Sequence, residues 1–252
     1  MKNLICNSKA IFTIVCATIL FSCQKEELVL PELTGKENHF QYDVSNDNPR
    51  PGPVSPLLYD KTISQWTQDW WKHVMSIDCY ENPLVHSILK TVITQEGPVV
   101  FLMGTDNGSA LRFANIRRDQ SVLIPIFNTL KKYPCDEQVT VIGSEQSLEQ
   151  FLKREAKQYI NQVTNIKVSL DDAPITISNE NRVATELFHI SGNATLVNCL
   201  DACASEKNKP AVSDGYWLVI PRLEPGRHVI RVHAEILQNG TVVDVLYNIA
   251  VN

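Results

Sequence analysis

The chain has 252 residues, 44% of them hydrophobic and 20% charged, a balance that fits a globular protein and excludes a disordered one. Its 23 basic and 28 acidic residues give a formal net charge of −5, and no Lys/Arg cluster interrupts the acidic balance. Nucleic acid and anionic lipid surfaces are thereby excluded as charge-held partners.

Residues 1–9 carry Lys2 and Lys9 and no acid, and residues 10–21 are apolar apart from threonines and Cys16. A basic start followed by a short apolar run is a secretory signal, and this run is shorter than the roughly 20 residues that span a bilayer. It ends on Leu20-Phe21-Ser22-Cys23, which resembles a bacterial lipobox. On that reading residues 1–22 are removed and Cys23 is lipidated, with more than one acyl chain making the anchor stable. The rival reading is an ordinary cleaved signal with incidental cysteines. Without Lys2 and Lys9 the mature chain has 21 bases against 28 acids, a formal charge of −7. Gln24-Lys25-Glu26-Glu27 follows, with no Asp directly after the cysteine. This resembles the pattern of lipoproteins sent to the outer membrane and, in its Lys-Glu-Glu order, a surface-export signal. A solvated charged tether is the equal alternative, which leaves the domain either at the cell surface or facing the periplasm.

Pro31, Pro49, Pro51, Pro53 and Pro56 mark residues 23–57 as an extended tether, on which Phe40 and Tyr42 are candidate docking points. One globular domain is expected over 58–252. It opens with a helix from Ile63. Thr62 and Gln65 form a capping box, and Ile63, Trp66, Trp70, Val74 and Ile77 fall at helical spacing, widened by Trp71 and Met75. Trp66, Trp70 and Trp71 suggest a sugar-stacking surface, but an aromatic face buried in a core is the favoured reading. His73 beside them is expected in solvent.

Strands are expected next. Residues 99–103 form a continuous apolar run between Gly97-Pro98 and Gly104, as in a strand buried on both faces. Residues 110–116 and 122–127 follow across a polar turn, and Pro125 within the second marks a bulge or an edge. Residues 139–142, 166–170, 175–177 and 187–190 are shorter candidates. A second amphipathic helix is expected from near Ser144, carrying Leu148, Phe151, Leu152, Ala156, Tyr159, Ile160 and Val163, with Glu149 and Lys153 paired on its wet side. Asp171-Asp172-Ala173-Pro174 has turn chemistry, and residues 193–209 read as polar loop. Asn239-Gly240 is a strong hairpin signal. A two-residue turn there sets Ile236, Ala234, Val232 and Ile230 opposite Val243, Val245, Tyr247 and Ile249, all on one buried face. His228 then lies on the inward line opposite Val251 as a hydrogen-bonded core histidine, and His233 on the polar face.

Cys6 and Cys16 leave with the signal, so beyond Cys23 four cysteines remain: Cys79, Cys135, Cys199 and Cys203. An even number in an exported chain points to disulfides, in any of three connectivities, with free thiols as the alternative. No CxxC or HExxH occurs, and the Cys199–Cys203 spacing is poor for zinc, so neither metal nor cofactor is expected. The fold class that results is α+β, mainly antiparallel β, a β-sandwich carrying two amphipathic helices.

Five stretches together resemble a widespread family of uncharacterised secreted bacterial proteins. They are Trp66 with Trp70-Trp71, Gly97-Pro98-Val99-Val100-Phe101-Leu102, Pro125-Ile126-Phe127-Asn128, Ser213-Asp214-Gly215-Tyr216-Trp217-Leu218 and Leu223-Glu224-Pro225-Gly226-Arg227-His228. The resemblance runs from about residue 59 to the end and implies no activity. Members often carry two cysteines where this chain has Val92 and Ala114, so the resemblance leaves the pairing of the four cysteines open.

Three functional readings follow. The first is a binding or assembly module, a lipoprotein anchored in the outer membrane that recognises a glycan, a peptide or an envelope protein. Its candidate ligand-binding residues are Trp66, Trp70, Trp71, Arg112, Asp214 and His228, and it predicts an exposed aromatic or apolar patch. The alternative is a secreted hydrolase built on Asp69, His73, Arg112, Asp214 and His228, although no Gly-x-Ser-x-Gly elbow occurs. A purely structural envelope component is the third.

Overall fold

The computed structural model describes residues 57–89, 97–135 and 147–252, all within one compact unit, Pro49–Asn252. The signal, Cys23, the tether to residue 56, Val92, the candidate strand over 139–142 and Ser144 lie outside the described residues.

Helix α1 (Ile63–Ser76) starts as the sequence requires: the Thr62 hydroxyl accepts from the Gln65 N–H, and the Gln65 side chain accepts from the Thr62 N–H. Its buried face is Trp66, Thr67, Trp70, Trp71, Val74 and Met75, spaced three and four residues apart. Helix α2 (Leu148–Ile160) has a second capping box, between Ser147 and Gln150.

The strands are β1 (Ile88–Leu89), β2 (Val99–Phe101), β3 (Gly108–Ile116), β4 (Ser121–Lys132), β5 (Thr164–Leu170), β6 (Ala173–Ile175), β7 (Arg182–Ala184), β8 (Phe188–Ile190), β9 (Lys209–Ile220), β10 (Gly226–Ile236) and β11 (Thr241–Val251). They form a six-stranded sheet in the order β1-β3-β11-β10-β5-β6 and a five-stranded sheet that runs β2-β4-β9-β7, with β8 also on β9. Pairing is mostly antiparallel; β1 with β3, β3 with β11 and β2 with β4 are parallel. The expected α+β architecture with two packed sheets and two helices is therefore what the chain adopts.

Between the sheets lies a core to which β4 and β9 contribute Val122, Ile124, Ile126 and Leu218, and β10 and β11 contribute Ile230, Val232, Val245 and Tyr247. A second core fills the outer face of the five-stranded sheet, where α1 presses its tryptophans against Val99, Phe101, Met103, Leu123 and Trp217. The two cores explain the uninterrupted run at 99–103. Val100 and Leu102 enter the first core while Val99, Phe101 and Met103 enter the second. Each large side chain so buried contributes about 1.5–3 kcal/mol.

The C-terminal hairpin forms with a different register. Ile236 faces Thr241, Ala234 faces Val243, Val232 faces Val245 and Ile230 faces Tyr247. The loop is therefore Leu237-Gln238-Asn239-Gly240, closed by Gly240 N–H donating to Ile236 O at 3.1 Å. A two-residue turn of the expected kind needs positive φ at both residues; here only Gly240 has it, at 71°. The Asn239 side chain instead accepts from the Thr241 N–H at 3.0 Å. A shift of two residues keeps the same side chains inward, so the buried face survives the correction. The tight two-residue hairpin is at Asp171-Asp172, both at positive φ, joining Leu170 to Ala173.

The cysteines pair as Cys79–Cys199 and Cys135–Cys203. Both bonds hold the loop that precedes β9.

Candidate ligand cleft

The site is built around an irregularity in β4. Pro125 has no N–H to give the ladder, and the register slips between Pro125, opposite Trp217, and Phe127, opposite Tyr216. Of the expected bulge or edge, it is a bulge, because β4 lies between β2 and β9. Such bulges redirect the side chains that follow. Here they set Asn128 opposite Gly215. A Cβ at position 215 would lie 2.5 Å from the Asn128 Cβ and 2.6 Å from both its Cα and the Phe127 carbonyl oxygen, so only glycine fits.

The neighbouring residues of β9 tie the site together. The Ser213 hydroxyl accepts from the Trp71 indole N–H at 2.7 Å, and the Trp70 indole donates to Leu102 O at 2.9 Å. Trp217 meets Trp70 edge to face at 5.2 Å, and Trp70 meets Trp71 likewise at 5.0 Å. Four of the five motif stretches thus converge on one place. The fifth leads into the other sheet, where Gly226 begins β10 and His228 follows within it.

Beside this junction is a cleft of about 320 Å³. Trp70, Trp71, Phe127 and Tyr159 supply aromatic wall, while Asp106, Asn128, Thr129 and Lys131 supply polar wall. Asp201 joins them from the loop that the two disulfides hold, its carboxylate ion-paired with Lys132. Burial pulls the Lys132 pKa down against the opposing pull of Asp201. The surrounding wall raises the Asp106 pKa by desolvation, although the residue itself reaches solvent. The Asn128 Nδ2 is buried, with no hydrogen-bond partner among the described residues.

Of the residues singled out from the sequence, Trp70 and Trp71 line the cleft. Trp66 instead borders a shallower groove with Asp69 and His73. A stacking surface needs exposed ring faces, and these three indoles are at most 9% exposed, with every N–H bonded. His73 is half-buried, not solvated, and burial lowers its pKa. Asp69 is held by Lys61 at 2.7 Å.

The remaining candidates do structural work. The Arg112 guanidinium is 2% exposed and donates to the carbonyls of Pro83, Gly104, Ser87, Met103 and Leu111, and burial lowers its pKa. Asp214 takes a two-pronged bond from Arg182, at 2.9 and 2.6 Å, which raises the arginine pKa. His228 lies opposite Ile249, bonded through Nδ1 to Asp171 at 2.7 Å and through Nε2 to Glu224 O at 2.8 Å. His228 and Asp214 therefore have different partners in different sheets. Among the described residues, no three His, Cys, Asp or Glu side chains gather as metal ligands.

Sequence reasoning missed Asp106, Lys131 and Tyr159, and quoted Asn128 only as part of a motif. The one usable signal was Pro125 inside a strand, three residues before an asparagine. Comparison of the chain with protein-family models, curated proteins and solved structures finds no match.

Proposed function

We propose that this protein is a lipid-anchored cell-envelope binding module, held at the outer membrane through Cys23 and recognising its partner without chemical turnover. The observation that carries the reading is the cleft. Four motif stretches distant in sequence meet beside it, and among the described residues two groups of its lining, the buried Asn128 amide nitrogen and the Asp106 carboxyl, bond to nothing. Concave sites of mixed aromatic and polar lining are where ligands bind. The disulfides support an oxidising compartment outside the cytoplasm, as the signal and lipobox-like segment do. The hydrolase alternative has less support, because Arg112, Asp214 and His228 are each engaged in bonds that hold the fold.

The test is protease shaving of intact cells, with Cys23→Ala as control. Loss of the wild-type domain from whole cells, with the variant protected, is expected for surface display. Equal protection of both proteins turns the reading toward the periplasm, and equal soluble release of both removes the anchor.

A further inference from the structure

Among the described residues, two polar groups on the cleft wall make no bond within the fold. The Asn128 amide is the first. Its Nδ2 is buried without a partner, a condition that costs about 1–3 kcal/mol unless a ligand or water meets it. The chain nevertheless keeps Asn there and clears the opposite position to Gly215. Asp106 is the second. Its backbone N–H donates to Leu84 O at 2.9 Å, and among the described residues no group bonds to or pairs with its carboxyl.

The remaining lining limits what these groups can serve. Asp201 is neutralised by Lys132, which leaves one acid, Asp106, and one base, Lys131, whose Nζ lies 5.0 Å from the Tyr159 ring centroid. A phosphate site gathers several cations or N–H donors, and this wall does not. A purely apolar ligand would leave the amide and the carboxyl unpaired. A hydroxyl both donates and accepts, so a polyhydroxylated ring can satisfy an amide donor, a carboxylate acceptor and an ammonium at once. Its apolar face suits Tyr159, the half-buried ring of the wall, whereas Phe127 is 4% exposed and serves as its backing. The volume, near the small end of ligand pockets, suits a compact molecule.

We infer that the cleft binds a small neutral saccharide of one or two rings, with the Asn128 amide and the Asp106 carboxyl as its hydrogen-bonding groups. This rests on the binding-module reading above and gives it a ligand class.

The experiment is titration of the purified full chain, in a detergent without a sugar head group, with glucose, galactose, mannose, N-acetylglucosamine, cellobiose and maltose. Calorimetry reads stoichiometry, and tryptophan fluorescence reads the wall, which contains Trp70 and Trp71. At least one sugar is expected to bind saturably at one site per chain. Asn128→Ala and Asp106→Asn are each expected to weaken it about tenfold, as loss of a hydrogen bond would. If Asn128→Ala does not fold, Asp106→Asn, in a loop, carries the test. The inference is overturned if no sugar on the panel binds, if neither variant weakens binding, or if inorganic phosphate or a dipeptide occupies the cleft instead. Shaving separates the two proposals: a shaved domain that binds no sugar sinks this inference alone, and a soluble, unanchored domain that binds one sinks only the envelope reading.

Discussion

His228 sits between two acceptors, the Asp171 carboxylate and the Glu224 carbonyl, and only a doubly protonated ring can donate to both. Burial pulls its pKa down, but the bonds to Asp171 and Glu224 outweigh that and raise it above the ordinary histidine value. The imidazolium joins the start of β10 to the Asp171-Asp172 turn, where Asp171 also accepts from the Val229 N–H at 2.8 Å. A group whose pKa rises on folding stabilises fully below its unfolded value, and the contribution vanishes as pH climbs through the folded one. His228→Gln, a neutral amide of similar reach, removes that term. The gap in Tm between wild type and His228→Gln is therefore expected to be widest at about pH 5 and to narrow by about pH 9. A gap that stays constant across that range would mean that folding leaves the His228 pKa at its unfolded value, and one that widens toward pH 9 would mean that the ring is neutral in the fold.

At the scale of elements, the pairing of β4 with β9 depends on Gly215. An alanine there meets the Asn128 Cβ at 2.5 Å, and also backbone, at the Asn128 Cα and the Phe127 carbonyl, both 2.6 Å away. Backbone does not rotate aside, so Gly215→Ala is expected to cost about 2 kcal/mol or more in chemical denaturation. Adding Asn128→Gly removes one of the three contacts and is expected to restore only part of the loss. Full restoration would show that the side chain, not the strand spacing, sets the limit. Other elements were legible in advance because their signals are local. Thr62 and Gln65 announce α1, the apolar run at 99–103 announces a doubly covered β2, and Pro125 announces the bulge. Asn239-Gly240 misled because the dipeptide permits a two-residue turn without requiring one, and Leu237 and Gln238 joined the loop instead. Strands β1 and β7 are too short, and β7 too charged at Arg182, to carry a period of their own. The cleft was illegible for a different reason: Asp106, Asn128 and Asp201 belong to three segments that only the packing of α1 and the loop onto β4 brings together.

At the scale of the whole molecule, one loop is the point where the layers meet. Cys199 ties it to Cys79, just beyond α1, and Cys203 ties it to Cys135, just beyond β4, while Asp201 between them pairs with Lys132. The two bonds bridge sequence separations of 120 and 68 residues, so in the reduced chain each lets a long segment explore freely. Replacing Cys79 and Cys199 together by serine is expected to cost about 2–4 kcal/mol, with a smaller loss for Cys135 and Cys203, whose closed loop is shorter. The loop also carries the Asp201 wall of the cleft and, through the Thr195 hydroxyl, accepts from the Cys79 N–H at 3.0 Å. Losing the first bond should therefore loosen the loop next to Trp70 and Trp71 before the sheets separate. Reduction is expected to shift tryptophan emission at temperatures where far-ultraviolet circular dichroism is unchanged, and then to lower Tm. Coincident fluorescence and dichroism transitions in the reduced protein would mean that the loop and the sheets melt as one cooperative unit, with the disulfides adding stability but no separate hold on the cleft wall.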